Sequence, residues 1–195
     1  MLVSCLQLVR RHLLNMGDTF LYFGFGSNLL KERIHISNPS AQFVCTAKLK
    51  DYKLDFGFQG DWWRGSVATV TECPGDHVWG VVWRLNMEHM ATLDEQEGVS
   101  AKIYKPLVVD VKSEHGENLN VRTYQLIGNY DHEEKKPSPY YLQVILSGAQ
   151  ENNLPADYIE RLRQINHNGY QGDVAVYAKL KTVPKTPIFL KHIVG

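Results

Sequence analysis

The chain is poor in the features that usually announce a chemistry. Its 195 residues include three cysteines, Cys5, Cys45 and Cys73, widely spaced and odd in number. No Cys-x-x-Cys pair occurs, which argues against a disulfide framework or a structural zinc site and fits a reducing compartment such as the cytosol. Small buried thiols are the reading for Cys45 and Cys73. The eight histidines are scattered, with no His-x-x-x-His or His-Glu-x-x-His spacing, so no metal site is encoded. There is no Gly-x-Ser-x-Gly elbow and no Gly-Lys-Ser/Thr phosphate loop. Excess charge of either sign is missing too: 21 basic and 21 acidic side chains leave a formal net charge of zero. With those charges interspersed, nucleic acid is not an expected partner. The apolar stretch Leu2 to Val9 is far short of the roughly 20 residues a membrane span needs, so no membrane is expected either. What remains is a globular composition, 44% hydrophobic and 22% charged, which rules out a disordered or low-complexity chain.

The N-terminus stands apart. Residues 1–16 carry Arg10, Arg11 and His12 and no acid. Their positive charge follows the apolar run, the reverse of a secretory signal. A mitochondrial presequence and a plain extension with Met16 as a second start are both compatible with that pattern, so residues 1–17 are set aside as an extension. Residues 18–172 read as one domain and 173–195 as a C-terminal tail, whose end, PIFLKHIVG, offers no functional reading.

Within the domain, residues 20–25 read as a short strand, followed by a short helical run from Leu29 to Ile34. Residues 43–58 are an extended strand. Residues 66–72 and 77–85 flank Cys73-Pro74-Gly75-Asp76, whose turn chemistry predicts a hairpin. Residues 86–96 read as a helix capped by Asn86 and ending before Gly98. Strands over 102–112 and 119–127 form a further hairpin. Ser138-Pro139 opens a helix over 138–150, with a second over Ala156–Ile165. The pattern fits an α+β domain around a curved, mostly antiparallel sheet or small barrel.

Two segments carry candidate chemistry. Phe23-Gly24-Phe25-Gly26-Ser27-Asn28 ends a strand with two glycines that allow a ligand close to the main chain. Free N–H groups entering the next helical turn suit a carboxylate or a developing oxyanion. A simple strand-to-helix turn capped by Ser27 or Asn28 explains the same residues. Leu93-Asp94-Glu95-Gln96-Glu97-Gly98 packs three carboxylates into four residues. Close, buried carboxylates raise one another's pKa, and a glutamate tuned upward can shuttle a proton near neutrality. Taken alone, an acidic helix end closed by Gly98 is more often a solvated cap. Tyr22, Tyr104, Tyr124, Tyr140 and Tyr141 fit either a core or a small polar pocket.

Read in order, several motifs agree. Tyr22-Phe23-Gly24-Phe25-Gly26-Ser27-Asn28-Leu29, Asn38-Pro39-Ser40-Ala41, Leu54-Asp55-Phe56-Gly57, Pro74-Gly75-Asp76, Val78-Trp79-Gly80-Val81-Val82-Trp83, Leu93 to Val99, Pro137-Ser138-Pro139 and Gly148 to Asn152 resemble the γ-glutamylcyclotransferase family over roughly residues 18–172. The resemblance implies a small mixed barrel with helices packed around it, a small-molecule substrate, no cofactor or metal and a homodimer; the cysteine usage is what points to the cytoplasm. It implies conversion of γ-glutamyl amino acids to 5-oxoproline and a free amino acid. The family's essential glutamate maps onto Glu97. Its substrate loop maps onto Tyr22, Phe23, Gly24, Phe25, Gly26 and Ser27, with Asn28 and Leu29 beside it, and a pocket tyrosine maps onto Tyr141. Tyr104 and Tyr124 match further pocket positions. The family usually has tyrosine at Phe25. A hydrogen bond lost there is worth about 0.5–1.5 kcal/mol. Glutathione, γ-glutamyl-lysine, or a catalytically weak role as a binding module are the alternatives.

This reaction explains the missing nucleophile. The substrate's own α-amine attacks its γ-carbonyl, so no catalytic Ser, Cys or metal is needed. Holding the γ-glutamyl group folded supplies up to about 7–11 kcal/mol of proximity advantage. Glu97 is then expected to act as base and acid, with the main-chain N–H groups of Gly26 to Asn28 steadying negative charge.

Overall fold

The computed structural model describes residues 18–128 and 135–190. The N-terminal extension, with the presequence reading attached to it, and the last five residues of the tail lie outside the described residues. Five strands carry the fold, and each pairs with two neighbours. They are β1 (Thr19–Gly24), β2 (Gln42–Gly60), β3 (Gly65–Asn86), β4 (Tyr104–Ser113) and β5 (Asn118–Leu126). They close a barrel in the order β1-β3-β2-β4-β5, and the β1–β5 seam, Tyr22 opposite Arg122, is its parallel pairing. All other pairings are antiparallel. This is the mixed, mostly antiparallel barrel that the family resemblance implies. Val78, Val81, Val82, Trp83 and Leu85 of β3 are buried, as are Phe23 of β1 and Val121 and Tyr124 of β5.

One expectation fails. Cys73-Pro74-Gly75-Asp76 does not reverse the chain. β2 and β3 stay paired on both sides of it, Tyr52 opposite Glu72 and Lys50 opposite His77. The four residues are an outward bulge facing Asp51, whose Oδ1 accepts from the Gly75 N–H at 2.9 Å. The turn residues serve a local excursion, while the long-range ladder keeps its direction. The reversal that joins β2 and β3 falls instead at residues 61–64. Cys45 is buried as expected, but Cys73, on the bulge, is only partly covered.

The helices lie where their signals place them, but Asn86 does not cap with its side chain, whose amide donates instead to Glu88 Oε1 at 3.2 Å. α1 (Lys31–His35) follows a 3-10 turn at Ser27–Leu29, and α2 (Met90–Gln96) follows one at Met87–His89. α3 (Pro139–Glu151) begins at the expected cap, where Ser138 Oγ accepts from the Tyr141 N–H at 3.2 Å. α4 (Ala156–Arg163) and the short α5 (Ala175–Ala178) complete the set. α3 is buried along most of its length and positions the site. At Gly148 a Cβ would stand 2.4 Å from the Leu30 nitrogen, so glycine lets this helix lie directly on the backbone of Leu29 and Leu30. The segment after Gly172 packs onto this layer. Val174, Tyr177, Leu180 and Val183 are buried, and Glu32 accepts from the Lys181 and Thr182 N–H groups at 2.9 Å.

Candidate active site

The loop after β1 is held from both sides. Trp83 Nε1 donates to the Asn28 carbonyl at 2.9 Å from the barrel, and α3 presses on Leu29 and Leu30 from outside. Between these supports, Phe25, Gly26, Ser27 and Asn28 face a small niche of about 40 Å³ that Tyr22, Ala68, Glu97, Tyr104, Tyr124 and Tyr141 also line. Ser27, Glu97, Tyr104 and Tyr141 belong as well to a larger cleft of about 370 Å³. Glu97 therefore stands where the two cavities meet.

Three residues expected at the pocket support it from behind. Phe23 and Leu29 have no exposed surface, their side chains being spent on the core. Phe23 also anchors the strand end, since its carbonyl accepts from Thr123 Oγ1 at 2.8 Å. Gly24 packs against the Asn28 carbonyl, where a Cβ would lie 3.1 Å away. Gly26 is similarly confined, with Tyr141 Oη 3.1 Å and the Ala68 Cβ 3.2 Å from where its own Cβ would be.

Glu97 caps the C-terminus of α2, with its N–H bonded to the Leu93 carbonyl at 3.0 Å. Its Oε1 accepts from Asn28 Nδ2 at 3.4 Å and Gln96 Nε2 at 3.3 Å. The same Asn28 nitrogen donates to the Tyr22 hydroxyl at 3.0 Å. These are neutral donors in a closely surrounded site. Burial pushes the Glu97 carboxyl up to about 7, against the opposing pull of Arg33 and the Gln96 amide. Asp94 adds a smaller push in the same direction. Desolvation, more than the mutual repulsion expected of the acidic cluster, is thus the leading cause. Glu95 is exposed. Asp94 is engaged elsewhere, with Arg122 Nη2 at 2.6 Å and the Tyr124 hydroxyl at 2.5 Å.

The tyrosines divide into two pairs. The Tyr141 hydroxyl accepts from the Ala68 N–H at 3.1 Å, and the Tyr104 hydroxyl donates to the Ala68 carbonyl at 2.6 Å. One residue of β3, through its own N–H and carbonyl, thereby fixes both. The Tyr22 and Tyr124 rings lie 6.0 Å apart across the β1–β5 seam. Burial raises Tyr22 well above its ordinary range and Tyr141 to about 12, so both keep their protons at neutral pH. Tyr140 lies away from this group, packed against Tyr170 and Tyr177.

Residues missed in the sequence complete the site. Gln96 bridges it: its Nε2 donates to Asn28 Oδ1 at 3.3 Å as well as to Glu97, and its Oε1 accepts from Asn38 Nδ2 at 3.3 Å and Arg33 Nη1 at 3.5 Å. Arg33 is buried, with its guanidinium 6.0 Å from the Trp63 ring. Helical spacing could have flagged it, because Leu29, Leu30, Arg33 and Ile34 share one buried face. No group of three or more metal-ligating side chains is gathered among the described residues.

The model of the AIG2-like family matches residues 77–162. A mouse protein named gamma-glutamylcyclotransferase is 50% identical over 163 residues, covering 82% of this chain and 85% of its own length. A human protein of the same name is 49% identical over 162 residues, with 81% and 85% covered. A solved structure titled gamma-glutamyl cyclotransferase superposes with a TM-score of 0.77 at 47% identity, covering 81% of this chain and 94% of its own.

Proposed function

The chain belongs to the γ-glutamylcyclotransferase family, and from that premise we propose how its site carries the reaction. The enzyme converts a γ-glutamyl amino acid to 5-oxoproline and the free amino acid. The γ-glutamyl half is read into the niche and the departing amino acid into the cleft, which sets the scissile amide beside Glu97. The observation that carries this reading is the Glu97 carboxyl itself. It sits at the junction of both cavities, among neutral donors, with burial raising it to about 7.

A carboxylate so placed can take the proton from the substrate's α-ammonium and later return one. As the freed amine forms a bond to the γ-carbonyl carbon, charge builds on the carbonyl oxygen. When the amide C–N bond breaks, the leaving nitrogen takes the proton from the Glu97 carboxylic acid. The attacking nitrogen sheds its second proton through the same carboxylate, and the amino acid departs as its ammonium, so the two protons lost by the α-ammonium are the two gained by the leaving nitrogen. The glutamate ends as it began, and no outside reagent is consumed. The main-chain donors of this reading are the N–H groups of Gly26, Ser27 and Asn28. Tyr22, as a neutral phenol, offers a further O–H. One such donor contributes about 2.7–4 kcal/mol in other acyl-transfer sites. A homodimer belongs to the same proposal through the family resemblance.

The test is release of 5-oxoproline from γ-glutamyl-alanine by the full chain and by Glu97→Gln. Turnover by the wild type and a folded, nearly inactive variant are expected. Near-normal turnover by the variant would remove Glu97 from the mechanism.

A further inference from the structure

We propose that Arg33 is a specificity-determining residue that binds the α-carboxylate of the departing amino acid in the larger cleft. The proposal rests on the cyclotransferase reading and adds how the acceptor half is recognised.

Arg33 is 9% exposed, yet it forms no ion pair with a described carboxylate. Its Nη1 donates to the neutral Gln96 Oε1 at 3.5 Å, the limit of a hydrogen bond. Its Nε is sealed with no partner among the described residues. Nη2 has no partner there either and is not sealed, which leaves it open to the cleft that Arg33 lines. Burial lowers the pKa of the guanidinium, but such a group stays charged. A buried charge left this way is costly until an anion meets it. The planar guanidinium, backed by Trp63, matches a carboxylate better than any other anion the substrate carries.

The substrate has two carboxylates and the site has two places for them. The niche is too small, at about 40 Å³, for more than part of a dipeptide. The cleft of about 370 Å³ accommodates the remainder, with Trp62, Val67, Ile103 and Val176 offering an apolar wall for its side chain. Gln96 spans from Arg33 Nη1 to Glu97 Oε1, so the arginine lies one side chain away from the reacting bond. An α-carboxylate is two bonds from the scissile nitrogen and falls within that reach. A lysine isopeptide places its carboxylate much farther away, and a γ-glutamyl amine has none.

The experiment compares kcat/KM for γ-glutamyl-alanine and for γ-glutamyl-ethylamide, which differs by loss of the acceptor carboxylate alone. For the wild type a ratio of about 100 or more is expected, typical of losing a paired charge in a closed site. In Arg33→Met the ratio should fall toward one, mainly through a higher KM for the alanine substrate. Arg33→Lys keeps charge without the fork and should give an intermediate ratio. Any change in Glu97 basicity affects both substrates and cancels in the ratio. Thermal melting checks folding, and Arg33→Lys carries the test if the methionine variant does not fold. An unchanged ratio in both variants, or equal wild-type turnover of both substrates, would overturn the Arg33 proposal while leaving the reaction intact. Wild-type turnover of neither substrate would overturn the reaction reading itself.

Discussion

Asp94 and Glu97 are three residues apart at the end of one short helix, and the fold treats them in opposite ways. Asp94 meets Arg122 at 2.6 Å and Tyr124 at 2.5 Å, a direct and charge-assisted contact that ties α2 to β5. Glu97 also has an arginine nearby, but Gln96 stands between them as an uncharged bridge. Its direct partners are amides, which hold the carboxyl in place without fixing its charge. The difference teaches what makes a carboxylate reactive here. A direct cation turns an acid into a structural tie, whereas burial among neutral donors leaves it able to gain and lose a proton near neutrality.

Breaking the two sites should therefore have unlike effects. The largest belongs to Glu97→Gln, which keeps the shape and removes the proton acceptor. Its kcat should fall by about 10³-fold, within the span usual for general acid–base catalysis. Next comes the effect of pH on stability. The folded-state pKa of Glu97 lies above its unfolded value, so the folded chain binds the extra proton between about 4.5 and 7. That contribution is fully present below 4.5 and is lost as pH rises through 7. Relative to Glu97→Gln, the wild type should lose on the order of 3 kcal/mol between pH 4.5 and pH 8. Urea unfolding of both proteins across that range measures it, and parallel curves would mean that Glu97 ionises without cost. The smallest effect is expected for Asp94→Asn. With the aspartate 31% and the arginine 19% exposed at the side chain, the lost pair should cost about 1–2 kcal/mol of stability. Its kcat should fall far less than that of Glu97→Gln. A larger catalytic loss than stability loss would erase the contrast between the two carboxylates.

Much of this was legible in the residues. The barrel strands, the Ser138-Pro139 cap, the loop at Phe25 to Asn28 and the acidic motif all announce themselves through local chemistry. The Pro-Gly-Asp segment misleads because its turn signals are real but are spent on a bulge. Only the register of β2 on β3, set by pairs far apart in sequence, shows that the strand continues. Phe23 and Leu29 share a motif with the pocket residues, and periodicity does not separate a side chain facing a ligand from one facing the core. Arg33 is hidden for a related reason: a charge on a five-residue helix looks solvated until Trp63 and Gln96 close over it. The cause of the Glu97 shift was half legible. The neighbouring carboxylates are visible in sequence, but the burial that outweighs them depends on the packed site.

The most direct test of the contrast is a titration of Glu97 itself. Carbon-13 NMR of the side-chain carboxyl in the full chain, with its signal identified by absence in Glu97→Gln, would follow ionisation from pH 3 to pH 9. A midpoint near 7 is the predicted result. A midpoint near 4.5, the value of an ordinary glutamate, would contradict the account, since Glu97 would then be too weak a base to serve as the shuttle.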